Sequence, residues 1–406
     1  MIYKTTLKKI AYIICFFMFL LFPTSINSIP HSVKSIIVLW ILESAVIVFF
    51  ICEEKIDKKQ LLKTMVIIGY LTIATIVATR ENALYISLAR IAPILCFVVM
   101  CCTNVKSRIQ PSFFLGLLDT MCIILIVWNF LTLMKEPHFI KFVNLFYTQL
   151  DSYTATYWSL TKNRPVFTFG VHNFAAIFYL HFFLFCYFAY TRYKRYRYWI
   201  YMVCIWLFTM LLKTTSGIGV FCFMALFILR IVMQDKKKIF SLMIWGCLAL
   251  LFLKQPSFLN DYTASLTSKA NGFSARYASE SNLYEGNWSI LKRFPLGIGV
   301  HIGRPELNIY FADSGYAIYL TMGNLVVLLS FFELMFCYLR NNLGLKMALI
   351  LFVVIALTEL SFVSFMYDKT LYLYVFEIGF YRSILVKTNS KEREFTASSW
   401  RIKCPN

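Results

Sequence analysis

The side chains best suited to chemistry lie in one long polar stretch, residues 254–316, which interrupts an otherwise apolar chain. Among turn-forming glycines this stretch carries Arg276, Lys292, Arg293, His301, Arg304 and Asp313. An arginine guanidinium binds phosphate oxygens through a two-pronged fork, and an imidazole that titrates near neutral pH suits a general base. Together these residue types predict binding of a large anion, with proton transfer beside it.

A second polar stretch, residues 135–172, adds an arginine directly before a proline, Arg164. A rigid Arg-Pro segment at a membrane surface is well placed to hold a diphosphate, and the alternative is an arginine that reaches up to lipid phosphates. Arg276 has a further explanation, a helical ion pair with Glu280. Because arginines recur in both stretches, we favour a bound anion. The candidate diphosphate ligands are Arg164, Arg276, Arg293 and Arg304.

Two residues compete for the role of general base. His301 lies in a glycine-rich setting after Gly299, whereas Asp313 is a weaker base that can instead orient the imidazole. We take His301 as the base, Asp313 as its orienting carboxylate and Arg276 as the catalytic cation. The other histidines lack charged neighbours in the sequence or suit an interfacial hydrogen bond: His31, His138, His172 and His181.

Several known signatures are absent from the sequence. It has no Cys/His spacing of a zinc site, no Asp-x-Asp metal motif, no glycine-rich phosphate loop before Lys-Ser/Thr and no Gly-x-Ser-x-Gly elbow. We therefore expect no metal, no cofactor, no nucleotide donor and no covalent serine.

Composition sets the class of protein that must position these residues. The chain is 59% hydrophobic and 15% charged, with a mean hydropathy of +0.67, which exceeds what the core of a soluble protein could bury. Its formal net charge of +20 would suggest nucleic acid in a soluble protein, but here the basic residues lie between apolar runs. We expect an all-α polytopic membrane protein that binds no nucleic acid.

Apolar runs long enough to cross a bilayer predict about twelve transmembrane helices. They lie near 10–29, 33–52, 62–79, 83–103, 112–134, 173–190, 198–213, 217–233, 239–254, 316–339, 344–365 and 369–386. Alternate loops are rich in Lys and Arg, so the positive-inside rule places those loops and both termini in the cytoplasm. The first helix is expected to remain uncleaved.

This layout divides the chain into six parts. They are helices 1–5 in residues 1–134, a first long external loop in 135–172, helices 6–9 in 173–254, a large external catalytic loop in 255–315, helices 10–12 in 316–386 and a cytoplasmic tail in 387–406. Within the larger loop, apolar and aromatic residues recur at helical spacing from Tyr277 to Leu291 until Pro295. This pattern predicts an amphipathic helix on the membrane surface.

Several ionisable residues fall inside predicted spans, where each is costly. Arg90, Glu359 and Glu377 lie at similar depth and predict an ion pair or triad. Glu43 and Asp119 lie deeper and have no evident partner in the sequence.

Short motifs in the two long loops resemble those of a known family. They are Ser274-Ala-Arg276, Trp288, Phe294-Pro-Leu-Gly-Ile-Gly299 and Asp313-Ser-Gly-Tyr316 ahead of a span with Gly323, and in the earlier loop Arg164-Pro with His172-Asn173. In these motifs and in its predicted topology, the chain resembles the bacterial O-antigen and capsule repeat-unit polymerases of the Wzy type, which belong to the O-antigen polymerase and ligase superfamily.

The resemblance implies an inner-membrane glycosyltransferase that joins glycan repeat units carried on undecaprenyl diphosphate, at the outer face of the cytoplasmic membrane. Its partners would be lipid-linked glycans, membrane lipid, and flippase and chain-length regulator proteins. The resemblance carries Arg164, Arg276, Arg293 and His301 over to either a polymerase or a ligase. Two alternatives stay open: a ligase that moves glycan to another acceptor, and a flippase or exporter of lipid-linked glycan.

Overall fold

A computed structural model describes residues 2–21, 55–78, 91–105, 109–145, 162–252, 290–300, 314–360, 364–366 and 368–385. This part of the chain is mostly helical. Its helices are α1 (Ile2–Leu20), α2 (Lys58–Ala78), α3 (Ile91–Cys101), α4 (Pro111–Met134), α5 (Pro137–Val143), α6 (His172–Tyr193), α7 (Tyr196–Leu211), α8 (Thr215–Gln234), α9 (Lys237–Phe252), α10 (Gly315–Leu343), α11 (Leu345–Thr358) and α12 (Asp368–Leu385), with a 3₁₀ turn at Ser364–Met366. Two short strands, β1 (Lys55–Ile56) and β2 (Thr103–Asn104), pair antiparallel.

Five of the described helices are long and apolar enough to cross a membrane: α2, α4, α6, α8 and α10. These helices indicate a protein embedded in a membrane. Eleven of the twelve predicted spans overlap a described helix, and the second, 33–52, lies outside the described residues. The cytoplasmic tail, 387–406, also lies outside them.

The helix ends follow from local sequence. Pro111 opens α4, where its missing N–H needs no partner, and Lys135 closes that helix with a left-handed backbone that lets its N–H reach the carbonyls of Leu131 and Thr132. At the start of α8, the hydroxyl of Thr214 accepts a hydrogen bond from the Gly217 N–H at 3.0 Å.

The helix α6 lies at the centre of the bundle. In the most apolar 18-residue stretch of α6, 83% of the residues are buried, whereas in α8 the share is 22%, so most of α8 is not covered by the described chain. Aromatic rings join α6 to α1 and α12: Phe19 lies 6.0 Å from Phe182 and 5.3 Å from Phe376, and Phe185 lies 4.7 Å from Phe380, between ring centroids. These rings form the core that holds the three helices together.

Contacts divide the helix ends into two groups. At one end, which we call the loop end, residues 164–171, 294–300 and Ser314 contact the ends of α1, α2, α10 and α12. At the other, which we call the basic end, the turns 192–197 and 235–238 lie together. This grouping is expected for membrane helices that alternate in direction along the chain.

One ionisable residue of the predicted spans has a partner that the sequence did not show. Asp119, which has no evident partner in the sequence, lies 2.8 Å from the guanidinium of Arg197. The partner was not visible because Arg197 lies in the first turn of α7, which reaches α4 only when the helices pack. Glu43 lies outside the described residues.

Candidate functional site

The segment 294–300, which carries the Phe-Pro-Leu-Gly-Ile-Gly motif, is inserted between α2 and α10. The helix α10 is kinked at Gly323 and Asn324, and the carbonyls just before the kink accept hydrogen bonds from the segment. The Ile298 N–H donates to Thr321 at 2.9 Å and the Gly299 N–H to Met322 at 2.8 Å. Non-helical backbone at membrane depth persists only where protein satisfies its polar groups, and the kink provides those acceptors.

The α2 side of the same segment is also fixed by hydrogen bonds. The buried hydroxyl of Thr75 accepts from the Val300 N–H at 3.0 Å, and the Tyr70 hydroxyl donates to the Leu296 carbonyl at 3.0 Å. Val300 is completely buried. The segment 294–300 of the large loop is therefore anchored to two helices before the chain reaches His301.

Two glycines make this insertion possible. Gly297 and Gly299 have φ angles of +87° and +70°, in the left-handed region that favours glycine. A Cβ on Gly299 would lie 2.3 Å from the Cα of Thr75, and one on Gly297 would lie 2.4 Å from the Met322 carbonyl oxygen. The motif glycines, which the sequence analysis takes as turn-forming, thus permit close backbone contact with both helices.

The other long loop returns to the bundle through the Arg-Pro segment. The carbonyl of Pro165 accepts a hydrogen bond from the buried Tyr179 hydroxyl, which itself accepts one from Asn129 at 2.7 Å. The ring of Phe167 packs edge-on against Trp128, with centroids 5.1 Å apart. Contacts with α4 and α6 therefore position the backbone beside Arg164.

The short helix α5 starts the same loop. The Glu136 carboxylate caps it by accepting a hydrogen bond from the Phe139 N–H, and this bond lowers the pKa of Glu136. The ring of Phe139 packs edge-on against Trp128, with centroids 4.9 Å apart. Both ends of the first loop thus meet on Trp128.

A buried lysine at the start of α12 lies beside this loop. The Lys369 side chain is inaccessible to solvent; its ammonium donates to the Thr168 carbonyl at 3.0 Å and lies 5.4 Å from the centroid of the Phe169 ring. Among the residues that the structure describes, no carboxylate forms an ion pair with Lys369. Burying an ammonium without a counter-charge costs several kcal/mol, so an anion brought close to Lys369 would stabilise its charged form.

A buried carboxylate, that of Glu359, organises the ends of α10, α11 and α12. Glu359 accepts hydrogen bonds from the Ser364 N–H at 3.0 Å, from the Ser364 hydroxyl and from the Tyr319 hydroxyl at 2.9 Å. The Tyr374 hydroxyl donates to the Ser364 hydroxyl, and the Thr370 hydroxyl to the Ser364 carbonyl. Each Glu359 oxygen therefore has a donor, and the network is rigid.

This network also fixes the point where the large loop ends. The Gly315 N–H donates to the Glu359 carbonyl at 2.8 Å, and Ser314 is buried. The start of α12 thus lies between the two long loops: Lys369 contacts the first, and Thr370 joins the carboxylate network that meets the second.

Two of the six residues assigned to the site from sequence are described. Arg164 is half-buried, and Arg293 is exposed, with its guanidinium carbon 5.5 Å from the Phe294 ring centroid. Different helices hold them, because the Arg164 segment packs on α4, α6 and α12 and the Arg293 segment on α2 and α10. Arg276, His301, Arg304 and Asp313 lie outside the described residues, as does most of the predicted surface helix. Val300 and Ser314 are the described residues that flank the segment with His301, Arg304 and Asp313.

Sequence reasoning missed Lys369, which falls at the first position of a predicted span. Its signal was a lone cation, in Asp368-Lys-Thr, at the boundary of an apolar run. It also dismissed His181, which lies 3.0 Å from the Glu377 carboxylate, with both side chains buried. The charged neighbour of His181 comes from a distant helix, so the sequence did not show it.

The expected grouping of Glu359 with Glu377 is not seen. Glu377 pairs with His181, whereas Glu359 is held by Tyr319 and Ser364. Arg90, the expected third member, lies outside the described residues. Within the described part of the chain, no group of three His, Cys, Asp or Glu side chains could hold a metal ion.

Comparison with protein-family models, with curated proteins and with solved structures finds no match to this chain. The class of the protein therefore rests on its own structure, a mostly helical chain with several helices able to cross a membrane.

Proposed function

We propose that this protein is a glycosyltransferase of the cytoplasmic membrane that polymerises glycan repeat units carried on undecaprenyl diphosphate, as in capsule or O-antigen synthesis. In this proposal about twelve helices span the membrane, both termini are cytoplasmic, and the loops 135–172 and 255–315 form an external catalytic face. Its partners are lipid-linked glycans and, in the same assembly, flippase and chain-length regulator proteins.

The observation that carries the proposal is the meeting of both long loops around the start of α12. The first loop contacts Lys369 through Thr168, and the end of the second joins the Glu359 network that includes Thr370. Between them lies a buried ammonium with no described carboxylate partner. A diphosphate headgroup approaching from this end would supply the missing negative charge.

The chemistry follows from the residues of the two loops. A sugar hydroxyl of the incoming lipid-linked repeat attacks the anomeric carbon at the reducing end of the growing chain. A new glycosidic C–O bond forms, the C–O bond to the lipid diphosphate breaks, and the diphosphate leaves with the bonding electrons. Because this leaving group is weakly basic, the reaction needs cations more than a general acid. A preorganised donor of this kind is worth about 10²–10³-fold in rate.

The roles are assigned as follows. His301, directly after the anchored Val300, takes the proton of the attacking hydroxyl, and Asp313, directly before the buried Ser314, orients the imidazole. Arg276 stabilises the developing charge. The diphosphate is held by Arg164, Arg276, Arg293 and Arg304, with Lys369 as a further cation. None of these roles uses a metal or cofactor.

Deletion followed by glycan sizing tests the reaction type. A cell that lacks this protein should still display single repeat units, with the longer chains lost. Long chains trapped on the lipid carrier would instead identify a ligase, and lipid-linked repeats retained on the cytoplasmic side would identify a flippase.

Substitution of Lys369 tests the anion site. In the deleted cell, Lys369→Met keeps the side-chain length and removes the charge, so it should abolish polymer while the protein remains at normal abundance in the membrane. The matched control is Lys135→Met, which removes an exposed lysine at the same end. Normal polymer from Lys369→Met would exclude a role for this lysine in substrate binding.

Substitution of Arg164 tests the diphosphate clamp. Arg164→Lys keeps the charge but loses the planar two-pronged fork, so activity should stay impaired, as it should in Arg164→Ala. Full activity of the Lys variant would reduce Arg164 to a general surface charge.

A further inference from the structure

The basic end of the bundle carries a surface that the proposed reaction does not use. It consists of two turns with the adjoining helix ends: residues 192–197, from the end of α6 to the start of α7, and residues 235–238, from the end of α8 to the start of α9. The exposed cations of this surface are Arg192, Lys194, Arg195, Arg197, Lys236 and Lys237. We call this surface the basic patch.

Specific contacts join the two turns into one unit. Lys238 is buried, with its ammonium 4.1 Å from the ring centroid of Tyr196 and 5.7 Å from that of Trp199. The Ser241 hydroxyl accepts a hydrogen bond from the Trp199 indole at 3.0 Å and shares a 2.7 Å hydrogen bond with the Tyr196 hydroxyl. The cation–π contacts of Lys238 and the two hydrogen bonds of the Ser241 hydroxyl fix one turn against the other.

Among the described residues, the acidic groups seen at the patch offset only part of this charge. Asp119 pairs with Arg197, and the Asp235 carboxylate accepts the Lys237 backbone N–H at 3.2 Å at the start of α9. Like charges held together on a fixed surface repel one another, so an anion that bridges them is favoured.

An apolar wall lies directly beside the basic patch. On the first turns of α9 the side chains of Ile239, Phe240 and Met243 are 46%, 70% and 63% exposed, so nothing in the described chain covers them. Tyr196, at the edge of the patch, is 49% exposed. A ligand that covers both surfaces must carry a negative headgroup and apolar chains.

We propose that the basic patch is a binding site for an anionic phospholipid. The headgroup phosphate lies on the cations of the two turns, and the acyl chains lie along Phe240 and Met243. Basic pockets between membrane helices bind such headgroups in other proteins. Because the two turns are fixed against each other, this site differs from the general attraction of scattered lysines to a charged leaflet. It does not depend on the proposed enzyme activity.

Native mass spectrometry of the purified full-length protein tests the site. The protein in a neutral detergent is mixed with cardiolipin, phosphatidylglycerol or phosphatidylcholine, and the fraction that retains lipid is measured. We expect retention of cardiolipin and phosphatidylglycerol but not of phosphatidylcholine. Equal retention of all three would overturn the proposal, as would inorganic phosphate displacing the phospholipids, which would indicate a site for soluble anions.

Paired charge removals separate a built site from general attraction. Lys236→Gln with Lys237→Gln, and separately Lys194→Gln with Arg195→Gln, should each lower retention of the anionic lipids by about tenfold, because each cation near an anionic surface contributes to binding. The matched control removes two exposed lysines at the start of α2, Lys58→Gln with Lys59→Gln. Unchanged retention in both patch variants, or an equal loss in the control, would refute the site.

A charge-neutral variant tests the joining of the two turns. Ser241→Ala removes the hydroxyl shared by Trp199 and Tyr196 without changing any charge. It should weaken retention of the anionic lipids several-fold. A Ser241→Ala protein that retains lipid as well as the unaltered protein would show that the fixed geometry is unnecessary.

Discussion

Replacement of Gly299 by alanine should release the inserted segment 294–300 from the bundle. The glycine has a φ of +70°, and the added Cβ would lie 2.2 Å from the Thr75 hydroxyl oxygen and 2.4 Å from the Thr75 backbone nitrogen. The obstacle is largely the backbone of α2, which cannot rotate away as a flexible side chain could.

Two routes bound the cost of this substitution. If the segment stays in place, alanine pays about 1–2 kcal/mol for the left-handed backbone and about 1–3 kcal/mol for the overpacking. If the segment leaves instead, it loses the three hydrogen bonds that its N–H groups donate to the Thr321 and Met322 carbonyls and to the Thr75 hydroxyl, each worth about 0.5–1.5 kcal/mol. The cheaper route sets the loss, so we expect about 2–4 kcal/mol.

Hydrogen exchange reads out this loss locally. The amides of Ile298, Gly299 and Val300 should exchange about 30- to 1,000-fold faster in the variant, since each factor of ten corresponds to about 1.4 kcal/mol. The control is Gly69→Ala on α2, where an added Cβ meets nothing within 4 Å and should be neutral or stabilising. If exchange in Gly299→Ala matched the control, the close approach of the segment to α2 would be refuted.

Three further substitutions follow from single hydrogen bonds. Thr75→Val leaves the Val300 N–H without its acceptor and should lower the free energy of unfolding by about 1–3 kcal/mol in thermal or denaturant unfolding. Thr75→Ser keeps the hydroxyl and should keep most of that stability. Equal losses in the two variants would contradict a role for the hydroxyl. Glu359→Gln replaces a carboxylate oxygen that accepts hydrogen bonds with an amide nitrogen that donates them. It should therefore lower the free energy of unfolding by about 1–3 kcal/mol in the same unfolding assay. An unchanged unfolding midpoint would contradict the network. The Glu136 carboxylate, which caps α5, has a pKa below its ordinary value of 4.5 in the folded protein, so it stabilises α5 above that value and loses this effect as the pH falls through the folded pKa. After correction for intrinsic exchange rates, hydrogen exchange at the Phe139 amide should therefore rise in acid. Glu136→Gln should abolish this pH dependence.

The sequence alone predicted the helical membrane class, because a helix depends on neighbours within four residues and on an apolar run of sufficient length. Apolar runs therefore overlap the described helices other than α5, which lies in the first predicted loop. The same local signals identified Gly297 and Gly299 as special, but not why they were needed.

The reason for those glycines is a contact between residues far apart in the chain. Val300 meets Thr75 across 225 positions, Lys369 meets Thr168 across 201, and His181 meets Glu377 across 196. Which helices become neighbours depends on shape complementarity and interhelical hydrogen bonds, because lipid removes the hydrophobic difference between faces. A single sequence records the runs but not these pairings. The lone lysine beside the first loop thus became a candidate anion site only when α12 was packed against it.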